Sequence, residues 1–202
     1  MELEFRPAQP DDAPEAVPLI YSSGPAVFDF VFADDKRGSA EEFLRFAFRD
    51  RAGEFGCDTH SIVTNNGQIV GAGACFSGES SFEFMTTAIR QISTFYGPVR
   101  SLRVIKRGLQ VERLIKPPEK KISCVAHLGV VAECQGHGIG SMLVDRFLVT
   151  ARQANHHKAV LDVSTENPRA ESLYAQLGFR TVRDCLSSLP GVPDHRRMQI
   201  DL

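Results

Sequence analysis

No charge of either sign dominates this sequence: 23 Lys and Arg stand against 25 Asp and Glu, a formal charge of -2 with histidine neutral. That balance offers no bulk attraction to nucleic acid or to an anionic membrane surface, and neither is an expected partner. The five cysteines, Cys57, Cys75, Cys124, Cys134 and Cys185, include no C-x-x-C pair and no clustered histidines to complete a metal site. They read as free thiols of a reducing compartment, and no metal is expected. No apolar run approaches the length of a membrane span, and the opening "MELEFRPAQPDDAPEA" is too polar for a signal peptide. Internal repeats and low-complexity tracts are missing as well. The expectation is a soluble, cytoplasmic protein with one domain over residues 1–202, its 43% hydrophobic content enough for a sizeable core.

Along the chain the residues fall into an orderly series of elements. "LEFRPA" alternates Leu3 and Phe5 with charged neighbours, as a short strand does, and "DDAPEAVPLIYSS" comes next with helix-start acids and an apolar face. Ser39 is placed to cap a second helix, "AEEFLRFAFRD". Asn65, Asn66 and Gly67 separate two β-prone runs in "HSIVTNNGQIVGAGACF", a hairpin signal because Asn-Gly tolerates the positive φ of a tight turn. Residues 78–120 carry the apolar spacing of two helices, "SSFEFMTTAIRQISTFYG" and "VRSLRVIKRGLQVERLI". From Ser77 to Lys121 nine Lys or Arg oppose four Glu, so this segment is locally basic. "KISCVAHLGVV" is nearly all apolar, as a central strand covered on both faces would be. A helix from Ser141, a strand "KAVLDVS", a helix capped by Asn167 and closed by Gly178, and two strands, "FRTVRDCLSS" and "HRRMQIDL", complete the chain.

Between the central strand and its helix, "QGHGIG" sets Gly136, Gly138 and Gly140 at alternate positions. Bare backbone at a helix N-terminus exposes N–H groups where the helix dipole favours negative charge, a geometry that holds phosphate. A Walker loop would end in Gly-Lys-Ser, whereas Gly140 is followed by Ser141 and Met142. A dinucleotide fingerprint begun at Gly136 needs glycine at Ser141, and one begun at Gly138 needs it at Leu143. A nucleotide-binding oxidoreductase using this loop is therefore a distant rival.

The pattern Gln135-x-x-Gly138-x-Gly140 behind "HLGV", followed by N-x-x-A-x-x-x-Y-x-x-x-G-F from Asn167 to Phe179, resembles the GCN5-related N-acetyltransferase (GNAT) superfamily. The likeness runs through residues 122–180 in element order. It implies an α/β fold of the acyl-CoA N-acyltransferase type: a mixed, mostly antiparallel central sheet flanked by helices, with a helical insertion, about 78–120, before the central strand. It implies acetyl-CoA as acyl donor, its pyrophosphate on the backbone of Gln135, Gly136, His137, Gly138, Ile139 and Gly140 with Ser141 beside them. The pantetheine arm would lie along Leu128, Gly129 and Val130 in a gap between strands, and Asn167 is a further family-level contact. Tyr174 matches the family's tyrosine near the coenzyme sulfur, although its apolar neighbours also suit a core aromatic.

The general base stays open at this level. His127 has the intrinsic pKa range for the task, and it equally suits a hydrogen-bonded interior histidine. Cys124 and Ala126, at the family's usual base positions, are not bases; Glu83 and Glu133 read first as surface charges. An acyl-cysteine route through Cys124 or Cys134 is disfavoured, since neither has a neighbour in sequence to activate it. The resemblance puts Tyr21, Phe28, Phe30, Phe95 and Tyr96 in segments that build acceptor sites, although core packing is the commoner job of such aromatics; the basic insertion could draw an acidic acceptor or the coenzyme's phosphates, or simply present a solvated helix face. The expected activity is direct acetyl transfer to an amine of a small molecule or peptide; the alternative is a non-catalytic acyl-CoA sensor. A homodimer is compatible with either.

Overall fold

A computed structural model describes residues 2–202. Seven strands form one sheet: β1 (Leu3–Pro7), β2 (His60–Asn65), β3 (Gln68–Ser77), β4 (Ile122–Val130), β5 (Lys158–Ser164), β6 (Arg180–Cys185) and β7 (His195–Asp201), in spatial order β1-β2-β3-β4-β5-β7-β6. Every neighbouring pair is antiparallel except β4 and β5. Helices α1 (Ala13–Ser22), α2 (Pro25–Phe32), α3 (Ala40–Arg49) and α4 (Ser81–Leu114) precede β4; α5 (Ile139–Gln153) and α6 (Pro168–Gln176) come after β4 and β5 respectively. No helix among the described residues is long and apolar enough to cross a membrane.

Side chains alternate across a strand, so a sheet buried on both faces needs apolar residues at successive positions. β2 shows it: Ile62 enters a core with Val17, Ile20, Phe43 and Phe48 from α1 and α3, while adjacent Val63 enters a second core with Leu143, Val144 and Phe147 of α5. The β2–β3 hairpin turns through Asn66 (φ 50°) and Gly67 (φ 81°), the conformation that the Asn-Gly pair favours. Ser39 caps α3 reciprocally: its hydroxyl accepts from the Glu42 N–H at 3.2 Å, and Glu42 accepts from the Ser39 N–H at 2.7 Å.

The helices depart from the sequence pattern in two places, both on the face that α1 to α4 cover. Helix α2 is unannounced, because "PAVFDFVF" is apolar nearly all round, with Asp29 its one charged residue, and shows no face by spacing. The insertion is one 34-residue helix broken at Gly97 (φ 75°) before Pro98, so the two expected helices meet at that kink. Three of its arginines fasten it down. Arg90 pairs with Asp50, Arg100 with Asp34 at 2.8 Å, and Arg107 donates to the Ala33 carbonyl at 3.1 Å, bracing α3 and the end of α2. The buried Tyr96 hydroxyl donates to the Phe32 carbonyl at 2.6 Å.

Helix α1 lies directly on β4 at Gly129, where an added Cβ would stand 2.2 Å from the Leu19 carbonyl oxygen. That obstacle is backbone and has no rotamer to change. Overpacking costs ~1–3 kcal/mol, and at roughly 2–4 °C of Tm per kcal/mol for a chain of this size, Gly129→Ala should lower the thermal midpoint by about 6–12 °C at the upper end of that cost. Circular dichroism reads the change, and an unshifted midpoint would mean α1 is not seated there.

Candidate active site

The parallel pair β4 and β5 does not stay paired. Ile122, Ser123 and Cys124 face Lys158, Ala159 and Val160, and the ladder then stops, although β5 continues against β7 along all seven of its residues. The facing edges of Val125–Val130 and Leu161–Ser164 therefore open into a slit. Its mouth points to the carboxyl ends of both strands, where α5 and α6 begin.

A bulge in β4 sits at the same place. Ala72 pairs with Gly129 and Ala74 with Ala126, so Gly73 alone opposes His127 and Leu128. His127 takes φ 56°, a left-handed conformation that costs a non-glycine residue ~1–2 kcal/mol. The extra residue lets Val125 and Leu128, three positions apart, share the α5 face while His127 points to the other face among Phe28 and Phe55.

At the slit's mouth, Gly136 (φ 82°) and Gly138 (φ 81°) turn the chain into α5, with Gly138 as its N-cap. The N–H groups from Gly136 through Ser141 donate to no acceptor among the described residues. The loop is pinned through Gln135, which donates to the Val130 carbonyl at 3.1 Å and accepts from Arg169 at 2.9 Å. Gly136, His137 and Gly138 are exposed, Gly140 is in the first turn of α5, and a cation, Arg169, stands beside Gly136. Six free amides and a guanidinium around one turn can hold a diphosphate. Asn167 is occupied differently: its side chain accepts from the Ala170 N–H at 3.0 Å as the cap of α6.

Tyr174 is on α6, packed with the α5-side core, and its hydroxyl has no hydrogen-bond partner among the described residues. Burial pushes its pKa up to about 12, so it keeps its proton throughout the neutral range.

His127, on the opposite face, belongs to a chain of polar contacts. Its Nδ1 lies 3.1 Å from His60 Nε2, and His60 Nδ1 lies 2.9 Å from the Gly56 carbonyl. Its Nε2 faces the Glu54 carboxylate at 3.6 Å. His60 is fully enclosed, and burial, then the nearby His127, drive its pKa down to about 3; it is neutral. Glu112, in the last turn of α4, has its pKa raised by burial and by the negative charge of Glu54. Glu54, His60, Glu112 and Arg169 carry no motif: His60 and His127 are 67 residues apart, and only the fold joins them.

The structure sorts the other expected residues. Phe28 lies against His127, its ring 5.9 Å away, and Tyr21 stacks on Phe28 while donating to Asp29 at 2.8 Å. Phe95 and Tyr96 instead pack on Phe43 in the core, and Phe30 packs beside Leu114 and Val192. Glu83 and Glu133 are exposed. The buried Cys124 thiol is driven far up, chiefly by desolvation, which leaves no thiolate for an acyl intermediate.

Comparison with known proteins agrees with this architecture. A model of the Acetyltransferase (GNAT) family matches residues 26–179. A stretch of 76 residues is 28% identical to the 5-NmdU N-acetyltransferase of Pseudomonas phage PaMx11, covering 38% of this chain and 50% of that protein, so the chain spans about half the length of the curated relative it matches. An N-acetyltransferase structure from Staphylococcus aureus Mu50 superposes over 98% of this chain and 100% of its own, with a TM-score of 0.69 and 15% identity. The Drosophila melanogaster polyamine N acetyltransferase covers 100% of both chains, with a TM-score of 0.57 and 16% identity. At such identities the structures establish the fold alone, and the family match, spanning most of the chain, establishes membership: this chain belongs to the acetyltransferase (GNAT) family.

Proposed function

We propose that the protein is an acetyl-CoA-dependent N-acetyltransferase that passes the acetyl group directly to a primary amine of a small molecule or peptide. The observation that carries this reading is the slit between β4 and β5, opening beside six unpaired amides. An extended chain bearing amides can supply the missing hydrogen bonds of the strand edges, as the pantetheine arm would along Leu128 to Val130, while the loop from Gly136 to Ser141 and Arg169 take the diphosphate.

The slit joins the two faces of the sheet, and this gives each candidate side chain a separate task. Tyr174, on the α5 and α6 face, donates a hydrogen bond to the departing sulfur. With its pKa near 12, above the ~8.5 of an ordinary thiol, it stabilises the thiolate as a donor and holds its own proton at equilibrium. His127, on the α1 to α4 face, accepts a proton from the attacking amine. Holding donor and amine on either side of one opening supplies orientation, which reduces the barrier without further chemistry.

The acceptor side carries Glu54 and Glu112, with no Lys or Arg paired to either among the described residues. Of the insertion's basic residues, Arg90, Arg100 and Arg107 are tied to Asp50, Asp34 and the Ala33 carbonyl. The acceptor class supported by this arrangement is an amine that approaches as a cation.

Two measurements test the reading. In calorimetric titration the wild type should bind CoA, and Gly138→Val, which forces a branched side chain into a left-handed position beside the free amides, should weaken binding by ~10²-fold or more. Tyr174→Phe should retain CoA affinity while lowering kcat by ~10²-fold, the low end of acid–base catalysis. Tight CoA binding without thiol release in the presence of any of a panel of cationic, neutral and peptide amines would mark the protein as an acyl-CoA sensor instead.

A further inference from the structure

The structure assigns His60 a positioning role: it holds His127 in the tautomer whose Nε2 is free to take the amine's proton, while Glu54 balances the imidazolium that results. This deepens the proposed acetyl transfer and rests on it.

The tautomer is set by which atoms can donate. A carbonyl only accepts, so the 2.9 Å contact to Gly56 requires the proton of His60 on Nδ1. A neutral His60 then has only a lone pair on Nε2, and its complete enclosure excludes the doubly protonated form. The 3.1 Å contact must therefore be a donation from His127 Nδ1–H to His60 Nε2. The two ring planes lie within 16° of each other with centroids 5.3 Å apart, the spacing of imidazoles joined edge to edge through such a bond. Neutral His127 consequently carries its lone pair on Nε2, the nitrogen facing Glu54 at 3.6 Å.

The ring has little freedom to do otherwise. Its side chain is 9% exposed, wedged among Phe28, Phe55 and Phe76. A flip of the ring about its Cβ–Cγ bond would put carbon Cδ2 where Nδ1 now meets His60 and carbon Cε1 where Nε2 now faces Glu54, so both polar contacts would be lost. The bulge supplies the backbone half of the arrangement, because it turns His127 out of the alternation and toward β2.

In the transfer itself, the ammonium first loses one proton to solvent; the neutral amine nitrogen then attacks the thioester carbonyl carbon and the C–N bond forms. One N–H proton passes to His127 Nε2, giving an imidazolium with Nδ1–H still on His60 and the new N–H directed at the Glu54 carboxylate. Collapse breaks the C–S bond, its electron pair leaves on sulfur under the Tyr174 hydroxyl, and sulfur takes a proton as the thiol. His127 returns its proton through solvent, so that one amine and one thioester yield one amide and one thiol. His60 changes neither charge nor protonation at any point, which is what separates orientation from charge compensation in this site.

Two-bond 1H–15N correlation spectra of histidine-labelled protein at pH 8 read the tautomer without reference to activity, and comparison with His127→Asn assigns the signal. His127 is expected protonated on Nδ1; protonation on Nε2 in the wild type overturns the assignment. In steady-state kinetics His60→Leu should lower kcat by ~10²-fold, a substantial part of the ~10²–10⁴ available to base catalysis, with the KM for acetyl-CoA unchanged. His60→Gln, whose amide oxygen can accept from His127 Nδ1, should recover much of that loss. Glu54→Gln, at a half-exposed position where unfolding is not a concern, should lower kcat by ~10-fold. Wild-type rates in both His60→Leu and Glu54→Gln overturn the role while leaving acetyl transfer intact. The expected tautomer in a wild type that acetylates no amine would instead sink the activity and leave the assignment standing.

Discussion

Two parallel strands that begin as neighbours and then part leave backbone N–H and C=O groups on both facing edges, and this interruption is the constraint on which the rest of the architecture depends. Such groups are costly to bury without partners, so a gap inside a sheet persists only where water or an extended ligand completes the bonding. The fold holds the gap open from both sides. β5 is bound to β7 along its full length, and the Arg197–Asp162 pair, with side chains 14% and 7% exposed, adds a charged clasp that also reaches the Lys116 carbonyl at the end of the insertion. β4 is bound to β3, and its bulge increases the local twist just where the two strands separate. Closing the slit would mean moving a bulge that is locked by a glycine packed against the Leu19 carbonyl.

The opening divides the chemistry between the two faces of the sheet. The proposed donor side is the slit's mouth and the α5 and α6 face, with the free amides, Arg169 bridged to Gln135, and Tyr174. In the proposed transfer the amine comes to the opposite face, where His127 and Glu54 lie. The insertion makes that second face. Arg100 and Tyr96 hold α2 in place through Asp34 and Phe32, and α2 in turn brings Phe28 onto His127. Part of the insertion's positive charge goes into this bracing, through Arg90 to Asp50 and Arg100 to Asp34.

Legibility in the sequence followed physical locality. The glycine loop and the motif of α6 are readable because positive φ, capping and helix closure each demand particular residue types at fixed short spacing: Gly136, Gly138, Asn167 and Gly178 could be placed without a structure. The same holds for Ser39 and for the Asn66-Gly67 turn. Helix α2 was not readable because a segment apolar on every side has no periodicity to detect. The slit was inferred only through family likeness, for nothing in "KISCVAHLGVV" or "KAVLDVS" records where pairing stops. Sequence alone also leaves open whether His127 is an interior histidine or a base, since its partners, His60 and Glu54, come from a distant segment and meet it only in the fold. The fold makes it an enclosed, hydrogen-bonded histidine, and its work as a base belongs to the proposed transfer.

That combination has a physical logic. A carboxylate hydrogen-bonded to Nδ1 would orient the ring and stabilise its charged form with the same group, but deep in this face it would add a second buried charge needing its own compensation. A neutral imidazole orients equally well at the cost of one buried polar ring whose two nitrogens are both satisfied, by Gly56 and by His127. Glu54 can then supply the negative charge from a half-exposed position, with its side chain 41% accessible. The depressed pKa of His60, about 3, is the other side of this arrangement. A ring that could pick up a proton near neutrality would turn from acceptor to donor toward His127 and break the bond that orients it, so the burial that makes His60 a poor base is also what makes it a dependable acceptor.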